Sequence, residues 1–182
     1  MTTEARPRIK ITYATLRNDN EELHALYEHG VDESRAGLGA HHRNYVEGRW
    51  IDGSAGVFEA RSPIDRDLLI GTFAKGDRSD VQNAIAAARR AAPGWRHTPW
   101  QERLAVLKKA AELISERQMR YGADMAFECG KNRLEALGEV EEAADLIRFY
   151  AKTMEDNNGY DHAMDNLGDA AVHTRSVLRP HQ

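Results

Sequence analysis

The sequence predicts a mainly α-helical fold with short peripheral β-strands. Three observations predict it. Residues 79–156 carry apolar positions at helical spacing almost without interruption. Residues 44–73 fall into pieces of two to six residues separated by turn signals such as Glu47-Gly48, Asp52-Gly53 and Ser62-Pro63. A buried parallel strand would show as a run of roughly four to eight apolar, mostly β-branched residues. The best candidate, Leu68-Leu69-Ile70, is too short, so no central sheet is expected.

The elements follow in order. Residues 1–18 are polar with isolated apolar positions and read as an extended arm. Asp19 or Asn20 caps a helix whose apolar face is Leu23, Leu26, Tyr27 and Val31, and Gly37 and Gly39 end it. Residues 44–46, 50–51, 57–61 and 68–73 read as a small antiparallel meander. Ser79 with Gln82 three residues on reads as a capping box opening a helix with Val81, Ile85, Ala88 and Ala92 inward. Thr98-Pro99-Trp100-Gln101 repeats the device before a helix with Leu104, Leu107, Ala111 and Ile114 inward. A third helix, about 116–129, turns Met119, Ala123, Ala126 and Phe127 inward, and Gly130 supplies a left-handed stop. The longest, about 133–156, carries Leu137, Val140, Ala144, Ile147 and Ala151 on one stripe, and Asn157-Asn158-Gly159 breaks it. Residues 172–179 alternate as a strand does.

Bulk properties exclude several functions. A formal charge of -4 argues against nucleic acid, which demands a cationic surface to displace counterions. No apolar run approaches the roughly 18 residues that span a bilayer, and no apolar stretch follows the early charges Glu4, Arg6, Arg8 and Lys10 as in a signal peptide. One cysteine cannot close an internal disulfide, which fits a reducing compartment and a cytoplasmic protein. The histidines, including His41-His42 and the His24/His29 pair, lack zinc-site spacing, so no metal site is expected.

Several segments, in order, resemble the aldehyde dehydrogenase superfamily. They are Tyr45-Val46-Glu47-Gly48-Arg49-Trp50, Ser62-Pro63 with Ile70-Gly71, and Asp80-Val81 with Ala87-Ala88-Arg89 and Trp95. Pro99, Arg103, Leu107 and Ala110-Ala111 continue the match, followed by Glu128, Gly130-Lys131 and the fourth helix. No single motif is specific; their order and spacing are. The resemblance covers about residues 43–180 and implies the N-terminal part of an α/β fold, without its central Rossmann sheet. Residues 1–42 would be an arm and helix, 43–160 peripheral strands and helices of an incomplete NAD-binding domain, and 161–182 the start of an oligomerisation hairpin. The helix before residue 43 and Gly130-Lys131-Asn132 with Glu142 look most like the branch that oxidises L-glutamate γ-semialdehyde, the open form of 1-pyrroline-5-carboxylate, in proline catabolism.

That chemistry implies a cysteine nucleophile, an oxyanion-hole asparagine, a glutamate base and NAD-contacting glycines, all later in the family's order. No catalytic or cofactor-binding residue is therefore expected here, and the chain alone should be inactive. Cys129, the sole thiol, reads as a small residue at a helix end. Glu142 is the candidate substrate-binding residue. It lies on a second face of the last long helix, with Gly138, Leu146 and Phe149, which by resemblance borders the aldehyde channel. The pairs Arg89-Arg90 and Lys108-Lys109 read as solvated faces, and Trp50, Trp95 and Trp100 as packing anchors. By resemblance the partners are the rest of the enzyme or a homo-oligomer. The competing reading is a non-catalytic helical interaction module, or one subunit of a split dehydrogenase.

Apolar stripes with no sheet to cover promote association. The purified chain is expected to be a molten or self-associated species. A concentration-independent monomer with dispersed amide signals in NMR would contradict this.

Overall fold

The structure is a computed structural model that describes residues 9–12, 14–163 and 175–177. Five helices carry it: α1 (Glu21–Arg35), α2 (Arg78–His97), α3 (Trp100–Glu116), α4 (Gln118–Cys129) and α5 (Arg133–Asp156). Helix α4 packs between α1 and α5, and α5 also packs along α3.

Small residues make the close approach possible. A Cβ on Gly30 of α1 would sit 2.5 Å from the backbone carbon of Met119 in α4, so the two helices touch backbone to side. A Cβ on Gly122 would lie 2.9 Å from Cδ2 of Leu137, which is fully buried. Leu23, Tyr27, Ala123 and Leu137 form the centre of the core, joined by Ile11. The Tyr27 hydroxyl donates to the Gly122 carbonyl at 3.3 Å, and the Arg133 guanidinium lies over the Tyr27 ring. Burial pushes the Tyr27 hydroxyl above the ordinary tyrosine range.

The periodicity of α5 holds: Leu137, Val140, Ala144 and Ala151 are buried, with Ile147 half-buried. Asn20 caps α1 by accepting from the Leu23 amide at 3.1 Å, and Gly130 ends α4 with φ +72°. The arm departs from the extended reading. Thr12 and Thr15 close a turn, the Thr12 amide donating to Thr15 Oγ1 at 2.8 Å, and this brings Ile11 into the core. Helix α1 stops at Arg35, ahead of both glycines; Gly39, with φ +77°, serves the turn that follows.

Both expected N-caps move. Helix α2 opens on Asp77, whose Oδ1 accepts from the amides of Ser79 and Asp80, while Asp80 Oδ2 accepts from the Asp77 amide. A carboxylate is a stronger acceptor than a hydroxyl, and Ser79 Oγ itself donates to Asp77. Thr98 does not cap α3. Its hydroxyl donates to the Gly94 carbonyl at 3.1 Å and finishes α2, leaving Pro99 before α3 without a side-chain cap. The inward stripe assigned to α2 is wrong for the described residues: Val81 is 56% and Ile85 49% exposed, and only Ala87 is buried. Leu107 is likewise exposed, whereas Leu104 and Ala111 face α5. Helix α4 starts at Gln118 rather than near 116, and Met119, Ala126 and Phe127 are only half-buried. Trp50 and Trp95 are exposed rather than anchoring; Trp100 lies against Gly159.

The strands are not a simple meander. One sheet has the order β1–β5–β4, from Ala40–His42, Leu69–Ala74 and Val57–Arg61, with β1 parallel to β5 and β4 antiparallel to it. The hairpin β2 (Asn44–Val46) and β3 (Arg49–Ile51) stands apart, turning on Glu47 and Gly48, both with positive φ. Ser62 Oγ donates to the Phe127 carbonyl at 2.6 Å and ties the sheet to α4. The strands β6 (Asp161–Ala163) and β7 (Arg175–Val177) pair antiparallel; the rest of the expected 172–179 strand lies outside the described residues.

Leu137→Ala should lower stability by about 2–5 kcal/mol, because the helices held by neighbouring backbones cannot collapse into the cavity. Gly30→Ala should also destabilise, since the added methyl meets backbone that cannot rotate away. Thermal unfolding of the two variants checks both.

Candidate functional site

Helix α5 is positioned by Asn132, whose side chain accepts from the Glu135 amide at 3.0 Å. Its outward face and the arm at residues 10–16 enclose an open groove of about 770 Å³. Gly138 lies beside the arm, where a Cβ would sit in ordinary contact with Leu16, 3.6 Å from its Cδ1. One turn on, Glu142 lines the same groove.

The acidic residues of this region have different fates. Glu141 is drawn toward α3: Arg148 Nη1 donates to its Oε1 at 2.8 Å and Ser115 Oγ to its Oε2 at 3.1 Å. Arg148 Nη2 in turn donates to Ser115 Oγ at 2.6 Å, and Asp145 accepts from Nη1. Burial pulls the Arg148 guanidinium down, but the hydrogen bonds it donates to Glu141 and Asp145 outweigh this and hold it above the usual arginine range. Glu139 takes the ammonium of Lys131. Glu142 is exposed and makes no hydrogen bond or ion pair among the described residues.

Glu142, like Glu135 on the same groove, is thus a carboxylate without a partner among the described residues, while Arg148 and Lys131 are committed. The face read from the sequence is covered at one end and open at the other: Leu16 lies on Gly138, whereas Leu146 and Phe149 are 49% and 64% exposed. A free carboxylate can orient a ligand; among the described residues no cysteine, serine or histidine lines the groove beside it. Cys129 is exposed at the C-terminal end of α4, and Lys131, two residues on, pairs with Glu139. Sequence reasoning missed the Ser115–Glu141–Arg148 lock. The seven-residue spacing of Glu141 and Arg148 hinted at one face, but Ser115 joins from another helix.

Among the described residues no group of three His, Cys, Asp or Glu could hold a metal, and no helix is long and apolar enough to cross a membrane. A dinucleotide cradle needs a glycine-rich strand-to-helix turn with free amides at the helix N-terminus. The strand-to-helix junction among the described residues, β5 to α2, places the Asp77 and Asp80 carboxylates there instead. Hydrogen bonds from Ser79 hold Asp77 below the usual carboxylate range, and the Ser54 amide does the same for Asp80. Both stay anionic at neutral pH and would repel a pyrophosphate, so these residues do not fit NAD.

The fold and sequence can be set beside known proteins. The α-ketoglutarate semialdehyde dehydrogenase of Haloferax volcanii is 30% identical over 118 residues, 64% of this chain and 24% of its own length. The 1-pyrroline-5-carboxylate dehydrogenase of Bacillus pumilus is 28% identical over 134 residues, 74% of this chain and 26% of its own. A Thermus 1-pyrroline-5-carboxylate dehydrogenase solved with bound NAD superposes with a TM-score of 0.73 at 29% identity, over 85% of this chain and 29% of that one. The chain therefore spans about a quarter of the length of the curated relatives it matches. A profile of the aldehyde dehydrogenase family matches residues 50–180. With that span of sequence matched and the helices superposing on a solved member, the chain belongs to the aldehyde dehydrogenase family.

Proposed function

We propose that the chain is the N-terminal part of an NAD-dependent aldehyde dehydrogenase that oxidises L-glutamate γ-semialdehyde to glutamate in proline catabolism. The observation that carries this reading is the likeness to the Thermus enzyme over 85% of the chain, a larger share than residues 50–180 make up. The bound NAD of that enzyme supports the cofactor assignment, and the Bacillus relative supports the substrate. Residues 1–42 then form an arm and helix, 43–160 the outer layer of the NAD-binding domain, and 161–182 the start of an oligomerisation hairpin in a cytoplasmic homo-oligomer.

NAD, when bound, supplies the hydride acceptor for oxidation of the aldehyde. The residues of this chain would hold the outer helices in place and present Glu142 to the channel. There its carboxylate orients the polar end of the substrate through hydrogen bonds. The 30% identity to the Haloferax enzyme favours one second reading, a semialdehyde of α-ketoglutarate as substrate.

The chain alone is expected neither to bind NAD in a calorimetric titration nor to reduce it with any aldehyde. Assembled with the catalytic remainder of the Bacillus pumilus relative, it should restore NADH formation from glutamate γ-semialdehyde. Faster turnover of α-ketoglutarate semialdehyde would favour the second reading, and turnover of no aldehyde would defeat both.

In that assembly Glu142→Ala should lower kcat/KM about tenfold or more, roughly 1.4 kcal/mol of transition-state stabilisation, without changing the thermal midpoint. Kinetics equal to wild type would return Glu142 to a solvated surface role.

A further inference from the structure

Helices α3 and α5 meet along one stripe. Glu141, Arg148 and Glu155 of α5 each bond to α3, and Ala144 and Ala151 stand between them at helical spacing. The apolar part of the stripe is smooth, with Ala144 and Ala151 buried on α5 and Leu104 and Ala111 on α3. Burial is non-directional, so these short side chains hold the helices close without fixing how far α5 is rolled about its axis. Hydrogen bonds can fix it, because they weaken steeply off-angle. In the Lys108–Glu155 pair both side chains are 44% exposed, and exposed ion pairs contribute little. The other clasp is a closed triangle. Arg148 donates to Glu141 Oε1 at 2.8 Å and to Ser115 Oγ at 2.6 Å, and Ser115 Oγ donates to Glu141 Oε2 at 3.1 Å. The Glu141 side chain is 14% exposed, so its carboxylate cannot readily exchange these partners for water.

We propose that Ser115, Glu141 and Arg148 are positioning residues for the substrate: they set the roll of α5 against α3 and thereby hold Glu142 at the groove. This rests on the function proposed above. Glu142 directly follows Glu141, so a turn of α5 that moves one moves the other. Side chains reach roughly 5–6 Å from a helix axis, so a roll of about 10° displaces a carboxylate by about 1 Å. A misplacement of about 1 Å at a group that orients a substrate can cost on the order of a hundredfold in rate. Arg148 also acts on the groove itself. Asp145 lines the groove, and Arg148 Nη1 holds its carboxylate by a 2.8 Å hydrogen bond. The same guanidinium that fixes the roll thus keeps Asp145 from competing with Glu142 for the polar end of the substrate.

The test uses the full chain assembled with the catalytic remainder of the Bacillus pumilus relative, with glutamate γ-semialdehyde as substrate. Ser115→Ala deletes one hydroxyl and should lower kcat/KM about threefold or more, and Arg148→Ala about tenfold or more, through misplacement of Glu142. Ser115→Thr, which keeps the hydroxyl, should restore wild-type kinetics. The double variant decides the route. With Glu142→Ala in place, Ser115→Ala should cost nothing further, because residues that act through one another do not add. A double-variant loss equal to the product of the two single losses would reveal an effect that bypasses Glu142 and overturn the inference. Wild-type kinetics for both Ser115→Ala and Arg148→Ala would overturn it while leaving the proposed function standing. Should Arg148→Ala fail to fold, Ser115→Ala and its double variant decide alone. Wild-type kinetics for Glu142→Ala, or an assembly that turns over no aldehyde, would count against the function proposed above, and this inference would fall with it.

Discussion

Everything in this structure depends on how closely α4 can approach its two neighbours. Gly30 lets the Met119 backbone come to within contact of α1, and Gly122 admits the Leu137 side chain from α5. The core gains its density from small residues as much as from large ones; Ala123, Ala136 and Ala144 are as fully buried as Leu23 and Leu137. Helices packed this closely lose dispersion contacts with any shift, so α1, α4 and α5 behave as one unit. That unit holds Asn132 and the start of α5, and so fixes the register of every residue on its outward face.

The same geometry separates the acidic residues of α5 into structural and free ones. Glu141 turns into the α3–α5 seam, where its side chain is 14% exposed and Arg148 and Ser115 satisfy it. Glu142, one residue on, is rotated by about 100° around the helix. It emerges in the groove beneath the arm with no partner among the described residues. A carboxylate already paired cannot bind a ligand without losing its partner. Availability, more than acidity, distinguishes Glu142 from Glu141.

The outer helices show the opposite condition. Val81 and Ile85 on α2, Val106 and Leu107 on α3, and Leu146 and Phe149 on α5 are all exposed. Among the described residues nothing covers these side chains. The curated relatives the chain matches are about four times as long.

The sequence by itself determined the helices and their ends wherever the signal was local. Asn20 before α1, Gly130 after α4 and the apolar stripe of α5 were all legible, because a cap or a helical period acts within a few residues. It also carried the family, because the motifs stand in order along the chain. Only the tertiary structure decided which caps win and which stripes are buried. Asp77 displaced Ser79 because the carboxylate gathers two amides while Asp80 also reaches across to Ser54. Val81 and Ile85 carried the right period and yet face outward, since burial belongs to a pair of surfaces and periodicity describes one of them. Glu141 and Glu142 are the same residue type side by side; their separation into lock and candidate ligand arises from Ser115, 26 positions away, which no local pattern could bring near.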